Sequence, residues 1–212
     1  MKLQLLFAQR CCALLFITLF ATAAFSQKIK IGLQGGINYA SLQTSPGNHP
    51  TFNNTTQAIF RGQVNLFLEQ HLGALPFSVS AEPGVVFKGY SELVGANRIK
   101  SRLRYMNVPL VFNYYPVKQL GISIGTEYNY LFAVFVDGEK NRYIQDYLNR
   151  VEIAGLAGIH YRITKKWTLG ARYTHGITPV RKIDVTDAEG NPDGVLAQRN
   201  WTGQVFVRYV LN

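Results

Sequence analysis

Cysteine is almost absent. The 212-residue chain has two, Cys11 and Cys12, and both lie in an N-terminal stretch that reads as an export signal. A mature chain without cysteine has no disulfide framework, no thiolate nucleophile and no thiolate metal site. Charge is scarce as well. Asp, Glu, Lys and Arg make up 16% of residues, against roughly 25% in ordinary globular chains. That suits a chain whose outside does not face water. Past the N-terminal stretch no apolar run reaches the roughly 18 residues that a helical membrane span needs.

The N-terminal stretch itself has a positive start, Lys2 and Arg10, and then the uncharged apolar run from Cys11 to Phe25. The run is too short to span as a helix, and Ala24-Phe25-Ser26 supplies small residues flanking a cut. Residues 1–26 are therefore expected to be a cleaved signal peptide and 27–212 the mature domain, beginning at Gln27. The alternative is a retained N-terminal anchor. Loss of Lys2 and Arg10 takes the net charge from +10 to +8. An exported basic chain points to anionic lipid or lipopolysaccharide phosphate as counterpart, and away from nucleic acid.

The mature chain is built on alternation. In Ile29–Tyr39 the odd positions are Ile29, Ile31, Leu33, Gly35, Ile37 and Tyr39; the even ones are Lys30, Gly32, Gln34, Gly36 and Asn38. A period of two with unlike faces is a strand between two environments. The pattern recurs and predicts seven further strands: Ala58–Leu68, Phe77–Tyr90, Leu103–Tyr115, Gly121–Val136, Tyr147–Ile163, Trp167–Ile177 and Asn200–Leu211. The connections alternate long and short. Ser41–Gln57, Ser91–Arg102, Asp137–Asp146 and Thr178–Arg199 are long and polar, whereas Glu69–Pro76, Pro116–Leu120 and Thr164–Lys166 are short. Outer-membrane barrels show this rhythm, with short periplasmic turns and longer external loops. In hydrocarbon a sheet satisfies all its backbone groups only by closing.

The expected fold is all-β: an eight-stranded antiparallel up-and-down transmembrane barrel, its apolar face toward lipid. Aromatics on that face gather at strand ends. Tyr114, Tyr161, Trp167 and Tyr209 fall near the short turns, and Tyr39, Tyr173 and Trp201 near the long loops, as two girdles at the lipid–water interfaces would. A soluble ligand-binding barrel also alternates, with the faces inverted. Pro83 and Pro109 lie inside predicted strands, where each deletes a ladder donor, and bulges are expected there.

The segment Tyr105-Met106-Asn107-Val108-Pro109-Leu110-Val111, followed by Tyr114-Tyr115, resembles a recurrent segment of the PorT-like outer-membrane β-barrel family. Ile31–Tyr39, Glu82–Gly89 and Ala171–Ile177 resemble it too. The resemblance implies a small barrel in the outer membrane of a two-membrane bacterium. The founding member is linked to protein secretion, a role that does not transfer on these segments, and the family offers no catalytic motif.

The charged face is expected to line the lumen: Arg61, Glu82, Lys88, Arg104, Glu127, Arg150, Glu152, His160, Arg162, Arg172 and Arg208. Eight strands leave a barrel just wide enough for its own side chains. These charges then form a salt-bridged plug, with Glu82 and Glu127 as acidic centres and Arg61, Arg104, Arg172 and Arg208 as partners. The alternative is a narrow path for ions or small solutes. His160 and His175 have no Ser and Asp in matching register, so no enzyme is expected, and nothing calls for a cofactor. Asp184, Asp187, Glu189, Asn191 and Asp193 offer oxygens to calcium, but Glu189–Gly194 reads better as a hairpin turn. Arg98, Lys100, Arg102 and Arg104 alternate where they can meet outer-leaflet phosphates. A structural role, or docking of a protein partner through loops or turns, is the expected function.

Overall fold

The computed structural model describes residues 29–45, 56–94, 96–186 and 189–212. The signal-peptide expectation, both cysteines, His49 and Asp187 lie outside them. The strands are β1 (Lys30–Ser45), β2 (Gln57–His71), β3 (Phe77–Ala81), β4 (Gly84–Val94), β5 (Asn97–Val117), β6 (Leu120–Val136), β7 (Glu139–Lys140), β8 (Val151–Arg162), β9 (Trp167–Gly176), β10 (Arg181–Thr186) and β11 (Pro192–Val210). One short helix, α1 (Arg142–Tyr147), follows β7. All pairings are antiparallel, and β1 pairs with both β2 and β11, which closes the sheet. β3 and β4 occupy one staggered position between β2 and β5, so the ring has eight places.

The stagger of the ring can be traced through directly paired residues. Lys30 faces Glu69, then Ser80, Val111, Gly125, Leu156, Thr174 and Thr202, and the circuit returns to β1 at Ala40, ten residues above its start. With a rise of about 3.3 Å per residue and about 4.8 Å between strands, that stagger tilts the strands by about 41°, inside the usual range for barrels.

Proline explains the split between β3 and β4. Ala81 pairs with Leu68 and Leu110, and Gly84 with Asn65 and Asn107, so the register is the same on both sides of the gap. The bulges expected at Pro83 and Pro109 are therefore not there. Each proline costs its pair one hydrogen bond and leaves the other intact: Leu66 donates to the Pro83 carbonyl at 2.9 Å and Glu82 to the Pro109 carbonyl at 2.9 Å. Pro109 has no N–H to return to the Glu82 carbonyl, and Asn65 Nδ2 takes its place at 2.8 Å. Register shifts fall elsewhere, between Ala58 and Gln63 of β2, between Arg104 and Tyr105 and between Tyr114 and Val117 of β5, and between Val185 and Thr186 of β10.

Three of the long connections hold more regular structure than their composition predicts. Ser91–Arg102 is not a loop: β4 and β5 run on as a hairpin until Val94 faces Asn97. Thr178–Arg199 holds the β10–β11 hairpin, with Glu189–Gly194 in and beside its turn. Asp137-Gly138, both at positive φ (48° and 101°), makes the tight hairpin turn into β7. Asn141 then caps α1, its side chain accepting the Ile144 N–H at 2.9 Å. Tyr147, assigned to a strand by pattern, closes this helix. At the other end the termini meet: Asn212 Oδ1 accepts the Ile31 N–H at 2.8 Å and its Nδ2 donates to the Ile29 carbonyl at 2.9 Å, a side chain extending the β1–β11 ladder.

The two faces separate as alternation requires. Ile37, Phe60, Val64, Met106, Leu110, Ile124, Ile159 and Val205 are exposed on the outer wall, while Gln34, Asn38, Asn65, Glu82, Lys88, Asn107, Glu127, Asn129, Glu152 and Thr202 are buried inside. This is the inverse of a soluble ligand-binding barrel.

Candidate functional site

The lumen is the candidate site, and its side chains form four layers. At the short-turn end, Glu69 accepts hydrogen bonds from Ser78 Oγ at 2.6 Å and from the Tyr115 hydroxyl. His160 bridges Tyr115 (3.2 Å) and Ser123 (3.1 Å), and Ser123 donates to Asn113 at 2.7 Å. Each ring nitrogen of His160 therefore has a hydroxyl oxygen within hydrogen-bond distance. A cavity of about 20 Å³ opens here beside Lys30, Glu69, Arg162 and Arg208, room for about one water.

Above it, Glu82 receives Arg172 at 2.9 Å and also Arg208, which in turn donates to Gln34 at 2.6 Å. Both guanidinium groups lie over the Phe206 ring, 5.1 and 4.8 Å from its centroid, and Arg208 also lies over Phe67. The two inward rings fit because glycine faces them. A Cβ on Gly32 would stand 2.3 Å from the Phe67 ring, and one on Gly170 2.3 Å from the Phe206 ring. Gly32 and Gly170, bare positions of the alternating pattern, are therefore sockets for aromatic rings. Phe67 and Phe206 escaped the sequence reading, although each shares the parity of its inward neighbours, Asn65 and Gln204.

The third layer inverts the second. Lys88, with no exposure, lies 3.4 Å from Glu127 and 3.4 Å from Glu152. Asn200 donates to Glu152 at 2.8 Å and to Tyr105 at 3.2 Å. One anion between two cations sits below one cation between two anions, and the six charges cancel. Burial of so many charges demands this, since each unpaired ion in a dry interior costs several kcal/mol.

The fourth layer is apolar. Leu42, Val86, Tyr90, Leu103, Tyr105, Leu131, Val134, Leu148 and Val180 form one buried cluster at the long-loop end, with Ile144 of α1 packed on it. The loop segments fold into the mouth and close it with hydrocarbon. The expected salt-bridged plug therefore does not extend to this end.

Of the eleven charges expected in the lumen, Glu82, Lys88, Glu127, Glu152, His160, Arg172 and Arg208 are buried there, and Arg162 lines the small cavity at the short-turn end. Three do not join the network. Arg104 shares the parity of Met106 and is exposed on the outer wall, its guanidinium 4.1 Å from the Phe135 ring centroid. Arg150 precedes β8 and pairs with Asp146 at 2.9 Å on the surface. Arg61 sits at the β2 register shift, part-exposed, bonded to the neighbouring Phe60 carbonyl at 3.2 Å. Lys88 fills the role given to Arg61 and Arg104.

The outer-wall aromatics stand in two groups. Tyr39, Phe60 and Trp201 cluster toward the long-loop end, with Tyr39 4.9 Å from Phe60 and 5.9 Å from Trp201. Tyr173 is exposed nearby, its ring 6.4 Å from His175. Toward the short turns Trp167 lies 4.7 Å from Tyr209, Tyr114 5.3 Å from Phe77, and Tyr161 is exposed. Among the described residues no group of His, Cys, Asp and Glu is arranged to hold a metal ion.

A family model described as "Outer membrane protein beta-barrel domain" matches residues 25–182. Among solved structures the chain is similar to neisserial surface protein A, at 10% identity over 86% of this chain and 99% of that one, with a TM-score of 0.51. It is also similar to OprG from Pseudomonas aeruginosa (12% identity, 88% and 97% coverage, TM-score 0.46) and to a major outer membrane protein from Thermus thermophilus (13%, 86% and 99%, 0.47). At these identities the likeness concerns fold. Among curated proteins none matches the chain.

Proposed function

Because this chain belongs to the outer membrane protein beta-barrel domain family, and so is a bacterial outer-membrane protein, we propose that it is a non-conducting barrel with a structural or partner-docking role. The observation that carries this reading is the filled lumen: two buried charge triads stacked beneath an apolar cap. A path for ions needs continuous water, and Leu103, Leu131 and Val134 offer none at the outer mouth. Docking then falls to the external end. There the β4–β5 and β10–β11 hairpins project, and the tilted rings of Tyr143 and Tyr147 of α1 lie 4.8 Å apart while largely exposed. The PorT-like resemblance and the cleaved signal over residues 1–26 belong to the same reading, as do the two aromatic groups taken as girdles at the membrane interfaces.

Reconstitution into planar bilayers tests it. The purified barrel is expected to insert and stay silent. Discrete conductance steps from correctly folded protein would overturn the sealed lumen and favour narrow-pore transport.

A further inference from the structure

Four cations stand in a row on the outer wall and take no part in the lumen. Arg98, Lys100, Arg102 and Arg104 alternate down β5, all exposed, with neighbouring positions about 7 Å apart along the strand. The Arg104 guanidinium lies over the Phe135 ring, 4.1 Å from its centroid, and 5.9 Å from that of Phe87. Arg98 is held by Gln57. Among the described residues none of the four forms an ion pair; Asp137, the nearest bonded carboxylate, takes the backbone N–H of Lys100 at 2.9 Å. A like-charged row that makes no ion pair of its own repels itself, and a bound anion relieves that repulsion.

The height of the row identifies that anion. Paired positions climb by roughly 3 Å per strand from β1 toward β5 at the tilt given above. Arg104 is then roughly 5 Å, and Arg102 roughly 10 Å, above the Tyr39–Phe60 aromatic group. Met106, next below on the same face, is already exposed apolar wall. The row therefore begins where the hydrocarbon band ends.

We propose that this β5 face is a docking surface for the phosphate groups of outer-leaflet glycolipid, with Arg98, Lys100, Arg102 and Arg104 as ligands. The proposal rests on the outer-membrane reading and adds a specific lipid partner to it. Neighbouring cations two residues apart can share one phosphate, and the fixed Arg104 fork presents its N–H groups without further ordering.

The test is native mass spectrometry of the detergent-released barrel titrated with phosphorylated lipid A, enzymatically dephosphorylated lipid A, or zwitterionic phosphatidylcholine. Wild type is expected to retain phosphorylated lipid A at least about tenfold better than either other lipid. The variant R98Q/K100Q/R102Q/R104Q is expected to lose that preference. The variant K118Q/K165Q/K166Q, which neutralises cations at the short-turn end, is expected to keep it. If the first variant does not fold, the pair R102Q and K100Q/R102Q carries the same graded expectation. Equal retention of dephosphorylated lipid A, or an unchanged preference in the β5 variants, overturns the docking surface while leaving the membrane assignment standing. Failure of wild type to enter bilayers at all would instead strike the outer-membrane reading.

Discussion

Replacing Lys88 by methionine removes the one cation between Glu127 and Glu152 while nearly keeping side-chain volume. Both carboxylates are buried, and Lys88 has no exposure. Glu152 would keep the Asn200 amide as a donor at 2.8 Å. Glu127 would keep none, since neither of its oxygens has a hydrogen-bond partner besides the 3.4 Å ion pair. Breaking a buried ionic group by removing one member costs about 3–5 kcal/mol, because the charge left behind is uncompensated. With a middle value of about 4 kcal/mol and a urea dependence of about 1–3 kcal/mol per molar, the unfolding midpoint falls by roughly 1.3–4 M. The assay is reversible urea unfolding of the barrel in lipid vesicles, followed by fluorescence of Trp167 and Trp201. The combined variant K88M/E127Q/E152Q, which removes the charges together, is expected to recover most of the loss. If Lys88→Met costs less than about 1 kcal/mol, the level of an exposed pair, then water reaches the two glutamates and the layered, sealed lumen is wrong.

Three further outcomes are expected. Gly170→Ala drives a Cβ to 2.3 Å from the Phe206 ring and should cost about 1–3 kcal/mol; in a Phe206→Leu background the added cost should largely vanish, and an additive double mutant would contradict the socket. With Trp167 or Trp201 as sole tryptophan, the other changed to Phe, each should be quenched more by lipid brominated near the headgroup than near the chain end. Maximal quenching at the bilayer centre would remove the girdle assignment. Amino-terminal sequencing of protein from native membranes should begin at Gln27, and recovery of the intact Met1 terminus would show a retained anchor.

Alternation made the ring legible, because lipid outside and packed polar groups inside leave a strand no freedom in parity. Glu82, Glu127, Glu152, Arg172 and Arg208 were readable for that reason. Arg104 was misplaced because charge alone was taken to mean lumen, whereas its parity with Met106 already put it outside. Above the hydrocarbon band a cation on the outer wall meets headgroups and water, so the rule that governs the middle of the barrel lapses there. The same lapse hid the apolar cap. Val86, Leu103 and Leu131 point inward at a level where the lumen is closed by hydrocarbon. The register shift beside Tyr105, which leaves Ala133 and Val134 both buried, has no signature in composition. The hairpin extensions of β4–β5 and β10–β11 looked like loops because strands outside the bilayer need no apolar face. Pro83 and Pro109 suggested bulges singly; only their pairing across one level, with Asn65 supplying a donor, shows why register survives.

The account depends most on which way the apolar wall faces. Since the mature chain is expected to hold no cysteine, Val64→Cys and Val207→Cys each give a unique spin-label site, on residues 63% and 42% exposed. In vesicles both labels should relax strongly with oxygen, which partitions into hydrocarbon, and weakly with a water-soluble nickel chelate, with Lys166→Cys in a turn showing the reverse. Strong relaxation by the chelate at Val64 and Val207, or immobile labels inaccessible to both reagents, would contradict it.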